Sequence, residues 1–372
     1  MRIDFGFKLT RLEVAVKRHQ LETPVRTSFG VMTSRPAVFV RVTDQSGTQG
    51  YGEIWCNFPS CGAEHRAALF ETEIAPRIRD LEFTSPQSAL AHMEKSLRVL
   101  KLQTGEVGPI CQAIAAADIA IWDMIARRAG KPLYQVLGGN SPKMQVYGSG
   151  INPEGVVHTV QRLQSEGYTK FKLKVGFSAE RDTENVKYLV EQLRPQDEFM
   201  VDANQAWSLQ LAREALTQIE EFSPKWVEEP LPADSPIESW LELKSRHNLK
   251  IAGGENYDTM EQYKTATEIG FLDFVQPDIC KWGGMTGCLE VARHAANQGS
   301  TMCPHSLGAG IALAASAHLL AASNQPGILE VDGNPNPLRE DIFPIRPQEG
   351  VITLTDQPGL GVDPDLMASF FD

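Results

Sequence analysis

No two of the six cysteines (Cys56, Cys61, Cys111, Cys280, Cys288 and Cys303) stand at CxxC spacing, which argues against a zinc-binding or thiol redox motif. Scattered cysteines suit a reducing compartment, so a cytoplasmic location is expected. Positive charge is also in short supply: 35 Lys and Arg face 47 Asp and Glu, a formal net charge of -12. Nucleic-acid binding rests on Lys and Arg neutralising phosphates, so nucleic acid is not an expected partner. No apolar run approaches bilayer length. The longest Ala/Leu-rich piece, residues 308–322, is interrupted by Ser316 and His318 and reads as a buried helix. Residues 1–10 include Asp4 and lack a continuous apolar stretch, so neither a secretory signal nor a membrane partner is expected.

The composition is that of a packed globular chain, 42% apolar and 22% charged, and its length allows two domains or one large barrel with additions. Residues 38–42, followed by Gly47, Gly50 and Gly52, read as strand, turn, strand. Residues 64–78 and 87–102 have helical spacing, and residues 110–129 form an Ala- and Ile-rich helix ended by Gly130 and Pro132. From residue 144 short apolar runs at 144–147, 170–175, 199–201, 226–227, 249–252, 272–275, 301–303 and 328–331 recur about every 22 to 28 residues, the length of a strand–helix unit. Eight runs predict an α/β barrel of parallel strands. The expected organisation is an α+β capping domain over residues 1–142, a barrel over 143–347, and a tail, 348–372, packed back on the first domain.

In such a barrel chemistry sits where strands end. Asp202, Glu228 and Glu255 end the third, fourth and fifth strands. Neighbouring strands lie under about 5 Å apart, so three carboxylates this close repel unless a cation sits among them. Hard oxygen ligands favour Mg²⁺; the alternative is three unrelated acids, each paired with Lys or Arg. Lys172 and Lys174 on the second strand face the same side. Burial and mutual repulsion are expected to lower the pKa of each, as suits a general base; the alternative is a salt-bridged structural pair. Asp278 and His305 end adjacent strands, and a carboxylate on one imidazole nitrogen orients the other. Glu330 ends the eighth strand, where a protonated acid could hydrogen-bond an oxygen that gains charge, or serve structurally. Asn204, close to Asp202, is a candidate substrate contact.

This set resembles the enolase superfamily, specifically its mandelate racemase branch. The resemblance runs over nearly the whole chain and includes the helix carrying Asp118-Ile119-Ala120-Ile121-Trp122-Asp123. It implies a modified (β/α)7β TIM-type barrel under an N-terminal α+β capping domain. It also implies one Mg²⁺ per active site on Asp202, Glu228 and Glu255. Lys174 would be the base on one face of the substrate carbon, and Lys172 would stabilise the carboxylate or enolate. His305, oriented by Asp278, would act on the opposite face, and Glu330 would donate to the enolate. Muconate-lactonizing and dipeptide-epimerase relatives place a lysine where Asp278 stands, so this chain departs from those branches. Lys281, on the next turn, reads as structural or outer-shell.

The chemistry so implied is abstraction of the proton next to a substrate carboxylate. Dehydration of an acid sugar, an aldonate or aldarate, to a 2-keto-3-deoxy acid is the expected outcome. Racemisation or epimerisation of a 2-hydroxy acid and lactone cycloisomerisation are the alternatives, and a non-catalytic metal-binding barrel is a remote one. Specificity is expected from lid loops at residues 23–34 and 53–62, where Arg26, Arg35, Trp55, Asn57 and Phe58 are candidate contacts for the far end of the substrate. Arg26 could hold a second carboxylate. The resemblance also implies a homo-oligomer, dimer or octamer.

Overall fold

The computed structural model describes residues 3–26 and 30–371, with the side chains of Glu22, Thr23 and Arg26 outside that description. A four-stranded antiparallel sheet forms first, from β1 (Phe7–Arg26), β2 (Val31–Asp44), β3 (Gln49–Ile54) and β4 (Glu82–Phe83), in the order β3-β2-β1-β4. The alternation along β2 serves two interiors. Val38, Val40 and Val42 face the core shared with the N-terminal helices, while Ala37 and Phe39 face the larger core. The expected strand–turn–strand is thus β2 and β3. The 20-residue β1 was not anticipated, because charged residues such as Arg11, Glu13, Lys17 and Arg18 interrupt its apolar positions.

The expected helices appear as Gly62–Leu69, running through a π-helical turn at Phe70–Ile74 into Ala75–Ile78, then Pro86–Thr104 and Val107–Arg128. The last lies directly on β3. A Cβ on Gly50 or Gly52 would stand 2.2 or 2.1 Å from the carbonyl oxygen of Ala120 or Ala116, so only glycine permits this approach. Contrary to expectation, this helix is long and apolar enough to cross a bilayer, but 94% of its apolar window is buried within the protein. The two aspartates of its motif are ties. Asp118 accepts from the Thr286 N–H and hydroxyl at 2.9 and 2.7 Å, and Asp123 accepts from the Tyr51 and Leu360 N–H groups at 2.9 and 2.7 Å.

The second sheet holds β5 (Lys143–Ile151), β6 (Lys170–Lys174), β7 (Glu198–Asp202), β8 (Val227–Glu228), β9 (Ile251–Gly253), β10 (Phe274–Val275), β11 (Thr301–Met302) and β12 (Ile328–Asp332), parallel and in the order β11-β10-β9-β8-β7-β6-β5-β12. One helix of ten or more residues separates each strand from the next, which gives the (β/α)7β pattern. Between β11 and β12 no ladder is formed among the described residues; the Ile328 N–H reaches the Cys303 sulfur at 3.4 Å across that seam. Below the mouth, Tyr147, Met200, Trp226, Ala252, Phe274, Cys303 and Ile328 form one interior layer, so the barrel is plugged rather than open. In the tail, β13 (Val351–Thr353) pairs antiparallel with β5. Phe370 then packs on Phe39 at 5.0 Å between ring centroids.

Candidate active site

Strand register brings the mouth residues together. Lys174 is the partner of Asp202 across β6–β7, and Asp202 of Glu228 across β7–β8. Alternation along β6 sends Lys172 and Lys174 inward and buries Phe171 and Leu173 among the helices. Lys172 is fully buried: it is ion-paired with Glu228, and its Nζ lies 2.8 Å from Glu330 Oε1 and 3.5 Å from Asp202 Oδ2. Lys174 Nζ donates to Asp202 Oδ2 at 2.5 Å.

The expected lowering of the lysine pKa values is not found. Burial does lower both, but Glu228 and Glu330 around Lys172, and Asp202 beside Lys174, raise them more, and both end above the ordinary lysine value. Each ammonium meets more carboxylate than ammonium neighbours, so attraction outweighs repulsion. Glu330 is corrected likewise. Burial raises its pKa, yet Lys172, His305 and Lys174 pull it below the usual carboxylate value. It accepts a hydrogen bond from the Ser306 N–H at 3.1 Å.

His305 stands as expected against Asp278, Nδ1 to Oδ2 at 2.7 Å, and its Nε2 reaches Glu255 Oε2 at 3.0 Å. Asp278 is itself fixed by the Cys280 N–H at 2.8 Å. Burial works against the imidazolium, but Glu255, Glu330 and the Asp278 hydrogen bond prevail and raise its pKa to about 9. His305 is therefore a charged double donor here.

Asp202, Glu228 and Glu255 offer only oxygen donors, all buried. Their charges oppose one another: after burial, Asp202 is the largest contributor raising Glu228 to about 8, and Glu255 pushes up Asp202, although Lys174 and Lys172 hold Asp202 below its ordinary value. Lys174, Lys172 and His305 stand in the gaps, and no three-ligand metal cluster is preformed among the described residues. Mutually repelling oxygen donors fit a hard divalent cation such as Mg²⁺, which would displace those ammonium and imidazolium contacts.

Above them lies a cavity of about 190 Å³. Lys174, Asn204, Glu255, His305, Glu330 and Trp55 line it. Lys172, Asp202, Glu228 and Asp278 lie outside the lining, beneath it. Phe58 also reaches the cavity, joined from the N-terminal sheet by Val25 and Met32. Arg35 and Asn57 do not: Arg35 is ion-paired with Asp332, and Asn57 donates to the Leu307 carbonyl at 2.5 Å, so both tie the N-terminal unit to the barrel. The Arg26 side chain lies outside the described residues.

Lys281, expected to be structural or outer-shell, and Glu229 are among the further lining residues. Lys281 reaches the cavity, its Nζ 3.1 Å from both Glu255 Oε1 and Asn256 Oδ1 and 4.8 Å from the Trp55 ring centre. Glu229 also lines it, held by Asn256 Nδ2 at 2.9 and 3.2 Å. Strand alternation would send Glu229 outward, but β8 ends at Glu228 and a φ of 40° at Glu229 turns the chain. The Glu-Glu-Pro break was the available signal.

Glu53, just before Trp55, accepts from the Ala309 and Ala312 N–H groups at 2.6 and 2.9 Å, at the start of the barrel helix Gly310–Ser323. Burial raises its pKa more than these donors lower it, to about 7. A carboxyl whose folded-state pKa is raised contributes stability below its unfolded value, about 4.3, and that contribution is lost as pH rises towards 7. Unfolding free energy of the wild type should therefore fall relative to Glu53→Gln across this window, with a slope approaching about 1.4 kcal/mol per pH unit. Urea titrations at pH 5, 6, 7 and 8 measure it, and parallel pH profiles for the two proteins would refute it.

Comparison with known proteins matches this architecture. Residues 10–138 match the family model described as "Mandelate racemase / muconate lactonizing enzyme, N-terminal domain", and residues 155–368 match "Enolase C-terminal domain-like". The chain belongs to the enolase superfamily, in its mandelate racemase branch. A crystal structure of a mandelate racemase/muconate lactonizing enzyme from Bordetella bronchiseptica RB50 is 47% identical, covers 98% of each chain and superposes with a TM-score of 0.92. A racemase from Streptomyces coelicolor A3(2), whose crystal structure has bound magnesium, is 26% identical over 97% of this chain and 98% of that one, with a TM-score of 0.88. D-galactarolactone cycloisomerase of Agrobacterium fabrum is 26% identical over 96% of each chain. L-talarate/galactarate dehydratase of Salmonella typhimurium is 33% identical over 69% of this chain and 64% of its own.

Proposed function

We propose that the protein removes the proton next to a substrate carboxylate in a Mg²⁺-dependent reaction, and that the outcome is dehydration of an acid sugar to a 2-keto-3-deoxy acid. The observation that carries this reading is the pairing of Lys174 and the Asp278-oriented His305 in one cavity, from β6 and β11. Four strands separate these on one side and two on the other. Asp202, Glu228 and Glu255 would hold the cation. When bound, it would neutralise charge that accumulates on the substrate carboxylate as the proton leaves. Lys174 Nζ, released from Asp202 and having given up its own proton to solvent, accepts that proton. His305, already protonated, delivers a proton from Nε2 to the departing hydroxyl. The Asn204 amide is placed to orient substrate hydroxyls, and Trp55 and Phe58 to exclude water.

The kinship to an acid-sugar dehydratase supports the outcome. Lactone cycloisomerisation is the second reading, supported by the full-length similarity to D-galactarolactone cycloisomerase. The test is incubation with Mg²⁺ and a panel of aldonates, aldarates and their lactones in D₂O, followed by NMR. A 2-keto acid from one or a few sugars is the expected result. Deuterium exchange or inversion without keto acid would replace dehydration by racemisation, and turnover of lactones alone would replace it by cycloisomerisation.

A further inference from the structure

Glu228 is held from below by two neutral donors. The Trp226 indole N–H donates to Glu228 Oε2 at 3.1 Å, and the Gln276 amide donates to the same oxygen at 2.6 Å. Trp226 and Gln276 are buried, at 0% and 1% exposure. A carboxylate oxygen has two lone-pair positions, so Oε2 is saturated. Oε1 accepts from Lys172 and keeps its second position. Neither donor is free to turn away. Trp226 packs edge-on against Tyr147 at 5.5 Å and at a tilt against Phe274 at 4.8 Å, and the Gln276 backbone N–H is bound to the Gly253 carbonyl at 2.8 Å.

We infer that Trp226 and Gln276 are positioning residues for the divalent cation, turning Glu228 so that it binds through Oε1 alone. The inference rests on the metal reading given above. Oε1 is then the oxygen left to the cation, while Oε2 is anchored in the barrel interior. Neutral donors suit this task, because they restrain the carboxylate without placing further positive charge beside the ion. Partners of this kind typically change metal affinity by about 10–100-fold.

Gln276→Leu removes the amide at similar volume, and Trp226→Phe removes the indole N–H while keeping a ring in its layer. Each metal-free variant is titrated with Mn²⁺, followed by electron paramagnetic resonance, and with Mg²⁺ by calorimetry, alongside a thermal melt. The expected result is a Kd weakened at least about tenfold in each variant, out of proportion to any change in the metal-free melting temperature. Should Gln276→Leu fail to fold, Trp226→Phe alone decides. A lowered melting temperature with Kd within twofold of wild type would reduce both residues to structural ones and overturn the inference, leaving the metal reading intact. No binding of either ion by the wild type would overturn both.

Discussion

Lys174→Ala should lower turnover by about 10²–10⁴-fold, the usual contribution of a positioned proton-transfer group. Lys172 cannot take over, because it lies outside the cavity lining and is tied to Glu228 and Glu330. The fold should survive, since Asp202 keeps Lys172 at 3.5 Å and the Asn204 N–H at 2.8 Å. His305→Asn is the informative companion: it removes the second proton-transfer group and leaves Lys174 in place. With the substrate in D₂O, Lys174→Ala should lose exchange of the proton next to the carboxylate together with product formation. His305→Asn should keep exchange and lose elimination. Full exchange and turnover in the Lys174 variant would sink the assignment of Lys174 as base, and a binding barrel without catalysis would give no exchange even in the wild type.

Arg35→Ala should cost about 3–5 kcal/mol of stability, the loss expected when one member of a buried ion pair is removed and the other stays behind. Arg35 and Asp332 are each about 2% exposed in their side chains. The remaining cation near Asp332, Arg339, is 3.5 Å away. Burial raises the Asp332 pKa, but Arg35 and Arg339 lower it further, and it ends below the ordinary value. A carboxylate with a depressed folded-state pKa contributes stability above its unfolded value, about 3.9. That contribution is lost as pH falls through the folded-state value. The Arg35→Ala deficit should accordingly be constant from pH 6 to 8 and shrink below pH 4, as measured by denaturant midpoints. A variant as stable as wild type at pH 7 would show that this tie between the N-terminal sheet and β12 contributes nothing. Loss of substrate affinity at unchanged stability would return Arg35 to the role of a substrate contact.

The strand ends were legible because the barrel repeats one unit. Each apolar run had to fill a strand buried on both faces, so the next polar residues fell at the mouth, and observed and expected strand limits agree within a few residues. β1 was hidden because its alternation is diluted by charge on the exposed face. Arg35 and Arg339 show a different limit. Their partner Asp332 is 297 positions from Arg35, and no local pattern marks such a pair.

From the order of residues alone come the barrel, its eight strand ends, the inward face of β6 and the kinds of side chain at the mouth, because periodicity and punctuation are local properties of the backbone. Charge state was decided only in three dimensions. Two adjacent lysines suggest mutual repulsion, yet the folded chain surrounds them with Asp202, Glu228 and Glu330 and raises their pKa values instead. The same holds for Glu229, Lys281, Trp226 and Gln276. What each touches depends on where a strand stops and which neighbour stands beside it, and distance through space, rather than position along the chain, sets electrostatic and hydrogen-bond energies.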